Sequence, residues 1–175
     1  MVHEIVQRPD GSLCARPPAA VIESFAQEVA LDPQPKLGQW ITKGSNFTVN
    51  STAEYSAMLL GALPDQCLVR ATVRFTEGTG GCGLLLHTDE GLETGYEVRL
   101  EPANGRIVFD PFPPQSDRRF WLERPVRLEP EKAIRLELLV DGTAVVIYVN
   151  DQVALSCRTY NHRGGNLGLF VKEGT

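Results

Sequence analysis

Apolar and polar residues alternate with a period of two through much of this chain. In Val69-Arg70-Ala71-Thr72-Val73-Arg74-Phe75-Thr76 every odd position is apolar and every even one polar. Tyr96-Glu97-Val98-Arg99-Leu100-Glu101 repeats the pattern, as does Ile134-Arg135-Leu136-Glu137-Leu138, with Val140 continuing the apolar face. Such alternation sends one set of side chains to a core and the other to the opposite face of a sheet. Thr143–Asn150 is rich in β-branched and aromatic residues, which pack well on a pleated surface. Leu84–Leu86 and Leu167–Val171 read as strands buried on both faces.

Four turn signals punctuate these runs: Asp10-Gly11, Asn104-Gly105, Asp141-Gly142 and Asn150-Asp151. Each tolerates the positive φ of a tight turn, so each predicts an antiparallel hairpin. The spacing leaves no room for parallel crossovers. The fold predicted is all-β: a two-sheet antiparallel β-sandwich of the concanavalin-A-like, jelly-roll kind, with about a dozen strands. One segment, Pro18–Ala30, carries Pro near its start and apolar Val21, Ile22, Phe25 and Val29 on one face. It predicts one to three turns of helix. Pro33–Gly38 reads as a linker. Pro111–Arg119 reads as a proline-rich loop, unable to sit in a central strand. The chain divides into residues 1–38, a hairpin, short helix and linker packed on the body, and residues 39–175, the sandwich.

At 175 residues the chain is long enough to bury one full core. A net charge of -5 opposes a phosphate backbone, which argues against nucleic acid as a partner. No apolar run reaches the roughly 20 residues that cross a bilayer, and the polar N-terminus lacks a secretion signal. The four cysteines include no C-x-x-C pair. They are expected to be free, mostly buried thiols, which favours a cytoplasmic setting and leaves an extracellular host open.

The sequence offers little for catalysis. There are three histidines and no Gly-x-Ser-x-Gly elbow. The run Gly78-Thr79-Gly80-Gly81-Cys82-Gly83 lacks the Lys and helix of a phosphate loop, and reads as a flexible hairpin before a buried strand. His87 with Asp89, Glu90 and Glu93 admits a metal site, but a solvated acidic turn explains it better. No catalytic residue and no cofactor are expected. One polar strand face is more informative. Glu97 and Arg99 project to the same side, and Asp110, Arg118, Arg119 and Trp121 follow on the next hairpin and its loop. Charged forks bind neighbouring sugar hydroxyls in pairs, and an aromatic ring covers the apolar C–H face. The candidate sugar-binding set is Glu97, Arg99, Asp110 and Trp121, with Tyr96 or Arg119 in support. A plain cross-strand Glu–Arg ladder is the alternative.

Several stretches also resemble a known family. Val2–Val6, Asp10-Gly11-Ser12-Leu13 and Arg16-Pro17 are similar to the opening of the C-terminal β-sandwich of glycoside hydrolase family 32. Val140-Asp141-Gly142-Thr143 and Val146–Asp151 resemble a strand pair of that module, and Gly95–Leu100 its central sheet. The family includes invertases, levanases, inulinases and sucrose-6-phosphate hydrolases. Its catalytic acids lie in W-M-N-D-P-N-G, R-D-P and E-C motifs of a five-bladed propeller, and none of these motifs occurs here. The resemblance therefore implies a non-catalytic module whose partner is the catalytic propeller of the same parent polypeptide. It also implies a dimer edge as a further role, and a stop at Thr175 that marks a truncated boundary. A fructan- or sucrose-binding module, or a sandwich that binds only protein, are the alternative readings.

Overall fold

The computed structural model describes residues 3–51, 55–113 and 122–175. Of the sequence-derived candidates, Arg118, Arg119 and Trp121 lie outside these residues.

The strands in chain order are β1 (Glu4–Gln7), β2 (Leu13–Arg16), β3 (Gln34–Leu37), β4 (Trp40–Lys43), β5 (Asn46–Val49), β6 (Ser56–Ala62), β7 (Gln66–Val73), β8 (Gly81–Thr88), β9 (Gly95–Glu101), β10 (Arg106–Phe112), β11 (Leu122–Pro125), β12 (Ile134–Asp141), β13 (Ala144–Val149), β14 (Val153–Arg158) and β15 (Asn166–Lys172). One short helix, α1 (Ala19–Glu23), follows β2. A seven-stranded sheet runs β11-β10-β9-β8-β15-β6-β3, and a four-stranded sheet runs β14-β13-β12-β7. All pairings among the described strands are antiparallel. The β-sandwich expected from the alternation is the fold observed.

The core lies between the two sheets. Tyr96, Val98 and Leu100 of β9 meet Leu136, Leu138 and Val140 of β12 there, joined by Val145, Ile147 and Val149 of β13. Burial of such side chains supplies the main driving force, about 25 cal/mol per Å² of apolar surface. The four turn dipeptides join β1 to β2, β9 to β10, β12 to β13 and β13 to β14. Gly105 and Gly142 sit at φ 56° and 57°, and Asn150 and Asp151 at 53° and 49°. That is the left-handed geometry these residues were expected to accept.

The N-terminal piece lies on the outer face of the four-stranded sheet. Phe25 covers an outer patch of Leu139, Val146 and Tyr148. His3 Nδ1 lies 3.0 Å from the Tyr148 hydroxyl. The helix is short, only five residues, because nothing caps its start with a side chain and none of its residues is buried.

Two segments depart from the sequence reading. The Pro33–Gly38 linker contains β3, which borders β6. Pro35 is tolerated because β3 is the sheet's edge. Pro111 and Phe112 belong to β10 rather than to a loop. The register with β11 reaches only Phe109, so Pro111 needs no N–H donor on that side. The β4–β5 hairpin had no sequence signal of comparable strength. It forms a separate two-stranded sheet whose Trp40 and Phe47 pack against the core.

Candidate functional site

The outer face of the seven-stranded sheet carries the charged row. Because Tyr96, Val98 and Leu100 point inward, Glu97, Arg99 and Glu101 point outward. Register places Asp110 opposite Glu97 and Arg106 opposite Glu101 on β10. Three of the expected residues, Glu97, Arg99 and Asp110, thus come together. Tyr96 does not join them. It is 0% exposed, stacks on Phe109 and receives the Asn161 N–H at 2.9 Å. Its place follows from the alternation itself: a residue next to Glu97 must face the other way.

Arg99 is the hub. Its guanidinium bonds Glu97 Oε2, donates from Nε to Glu101 Oε1 at 2.8 Å, and lies 3.6 Å from Asp110 Oδ2. Glu101 Oε2 also accepts from Asn104 at 2.8 Å and from Arg106 Nε at 2.7 Å. Arg106 reaches on to Glu123 at 2.6 Å. Glu97 is only 1% exposed. Burial pushes its carboxyl above the usual range, with Arg99 and Tyr55 opposing, and burial does the same to Asp110 against Arg99. Burial also acts on Glu101, but the hydrogen bonds from Arg99, Asn104 and Arg106 outweigh it and hold that carboxyl below the usual range. The result is a rigid, ordered set of acceptors whose cations are already engaged.

Residues that sequence reasoning missed complete the hollow. Tyr55 donates its hydroxyl to Glu97 Oε1 at 3.1 Å, and its ring stacks on Phe170 and Phe112 at 5.4 and 5.9 Å between centroids. Leu92 packs against the same aromatic cluster from the loop after β8. The floor is glycine. Gly83 lies between Arg99 on β9 and Phe170 on β15 in the sheet register, and Gly81 opposes Lys172. A Cβ on Gly81 would sit 3.3 Å from Arg99 Cδ, and one on Gly83 would sit 2.0 Å from the Val98 carbonyl oxygen. The Gly-rich run is therefore neither reactive loop nor phosphate cradle. It keeps the centre of the sheet bare, and the hollow above it encloses about 950 Å³.

Other candidates are placed elsewhere. Cys82 is buried in the core, with its thiol pushed up to about 12 by burial. His87 is 3% exposed, donates from Nδ1 to the Gly164 carbonyl at 2.8 Å and lies edge-on to Tyr96. It is turned away from the acidic loop, where Asp89 instead accepts from the Glu93 and Thr94 N–H groups. No cluster of three His, Cys, Asp or Glu fit for a metal occurs among the described residues.

Residues 34–175 match the family model described as glycosyl hydrolases family 32 C terminal. Among solved structures, the chain is similar to the carbohydrate binding module CBM66 from Bacillus subtilis. The TM-score is 0.71 at 16% identity, covering 81% of this chain and 88% of that one. It is also similar to an exo-inulinase from Aspergillus awamori, with TM-score 0.57 at 12% identity, covering 99% of this chain and 35% of that one. A sucrose-6-phosphate hydrolase from Lactobacillus gasseri gives 0.52 at 13% identity, covering 98% and 33%. The chain thus spans about a third of each enzyme's length. No curated protein matches the sequence.

Proposed function

Because this chain belongs to the family of glycosyl hydrolase family 32 C-terminal domains, we propose that it is a non-catalytic accessory module that captures a fructoside-type sugar in the hollow over β8 and β9. One observation carries this reading: a half-buried arginine orders three carboxylates, two of which line a concave surface beside an aromatic cluster. Fixed acceptors beside an apolar wall suit a ring that has hydroxyls on one edge and C–H groups on its face. Tyr55, Phe112 and Leu92 would supply the wall, and Glu97, Glu101 and Arg99 the polar contacts, with Asp110 behind Arg99. The likeness to a carbohydrate binding module supports the same reading.

Calorimetric titration with levan, inulin and sucrose tests it. Heat of binding to at least one of them, lost in Glu97→Gln, supports sugar capture. Absence of heat with all three overturns it.

A second role rests on a separate observation. Ile5 and Leu13 project from one face of the β1–β2 hairpin and are 60% and 68% exposed. Exposed apolar residues gathered on one element suit a protein contact. The two enzymes match almost the whole chain, whereas the binding module matches 81% of it. This hairpin would then dock on a catalytic propeller. Capture of a separately expressed family-32 catalytic domain should fall in the Ile5→Ser, Leu13→Ser double variant. Unchanged capture would remove this role for the hairpin.

A further inference from the structure

The cations on β9 and β10 are committed to carboxylates, but the ammonium groups of Lys36 on β3 and Lys172 on β15 form no ion pair among the described residues, and Lys172 is on the strand nearer to them. Lys172 on β15 lines the hollow, is exposed, and forms no salt bridge among the described residues. Its register partner on β8 is Gly81, whose absent side chain leaves the approach to Arg99 open. Two strand spacings, about 10 Å, separate the β9 column from the β15 column. The carboxylates form one wall of this gap and the ammonium the other.

The walls differ in hydrogen-bonding capacity. An ionised carboxylate only accepts, and an ammonium only donates. Arg99 and Tyr55 take one site on each oxygen of Glu97, and Arg99, Asn104 and Arg106 take three sites on Glu101. A carboxylate has about four lone-pair sites, so both acids retain acceptor capacity. The group that satisfies both walls is a hydroxyl, which donates to a carboxylate and accepts from an ammonium. A phosphate or carboxylate group would accept from Lys172 but set its own charge against Glu97, Glu101 and Asp110. Arg99 and Arg106 bring positive charge, but it is already matched by Glu97, Glu101, Asp110 and Glu123, to which their N–H groups point.

We infer that Lys172 is a binding residue of this site and that the gap selects uncharged polyols over phosphorylated or otherwise anionic sugars. The inference rests on the sugar-capture reading and adds its ligand class and an opposing donor. It also separates this hollow from a general anion site, despite its two arginines and two lysines.

The test uses the full chain and matched probes: sucrose against sucrose 6-phosphate and fructose against fructose 6-phosphate, each by calorimetric titration. The neutral sugar should bind at least tenfold more tightly than its phosphate. Lys172→Ala should weaken the neutral sugar about tenfold, and Lys172→Gln, which keeps a donor, should recover part of the loss. Lys172 is exposed, so both variants should keep the wild-type urea midpoint. If the phosphates bind as tightly as the neutral sugars, or Lys172→Ala binds like wild type, this inference fails while sugar capture stands. If neither probe nor any fructan binds the wild-type chain, the sugar-capture reading fails first.

Discussion

Tyr55 donates a hydrogen bond from its hydroxyl to Glu97 Oε1 at 3.1 Å, from a ring stacked on Phe170. This bond satisfies one face of an almost fully buried carboxylate. Tyr55→Phe keeps the stack and removes only the donor. It should lower stability by about 1.5–3 kcal/mol, the range for a lost bond to a charged group. Urea unfolding measures this, and a change below about 0.3 kcal/mol would contradict the assigned role.

The glycine floor gives a contrasting pair. In Gly83→Ala the new Cβ meets a backbone oxygen at 2.0 Å, which the sheet cannot move cheaply. A loss of about 3 kcal/mol or more is expected. In Gly81→Ala the Cβ meets the methylene stem of Arg99 at 3.3 Å, a contact that a shift of a few tenths of an ångström relieves. Stability should change by less than about 1 kcal/mol, while sugar affinity falls because Arg99 shifts. Equal stability losses in the two variants would count against this description of the floor.

Much of this site was legible in the sequence. Alternation alone put Glu97 and Arg99 on one face, and the Asn104-Gly105 turn fixed the hairpin that brings Asp110 opposite Glu97. The same alternation excludes Tyr96 from that face. Tyr55 and Lys172 were not legible. Tyr55 lies just before β6 in no periodic run, and it reaches Glu97 only because β15 and β8 separate β6 from β9 in the sheet. Strand order across long connections leaves no local pattern to read. Gly81 and Gly83 gave a visible composition signal, but its meaning depended on which strands flank β8.

His87 makes stability depend on pH. Burial lowers its pKa below the ordinary histidine value, against the Gly164 carbonyl and Asp65, with His162 adding to the lowering. Its Nε2 is buried and has no partner among the described residues. Protonation there would bury an unpaired charged donor. The unfolded chain takes up a proton near pH 6.5, before the folded chain does. The stability His87 contributes is therefore full above about pH 6.5 and is lost as pH falls towards its folded pKa. Urea midpoints of wild type and His87→Gln between pH 7.5 and 5 should converge on acidification. Parallel curves would rule this out.

The cysteines should be chemically quiet. Burial holds Cys82 and Cys157 up to about 12 and Cys67 up to about 11. At pH 8 only about one part in a thousand or less of each is thiolate, the reactive form. These three thiols should resist iodoacetamide in the native protein and react on unfolding, as followed by mass spectrometry. Rapid native alkylation of Cys82 would contradict its place in the core.

The central claim is that the outer face of the seven-stranded sheet holds the ligand. Backbone amide NMR during titration with a short levan oligosaccharide tests it most directly. The account predicts shifts concentrated at Gly81–Gly83, Glu97–Glu101 and Lys172. Shifts confined to the β1–β2 hairpin or the four-stranded sheet, or no shifts at saturating sugar, would contradict it.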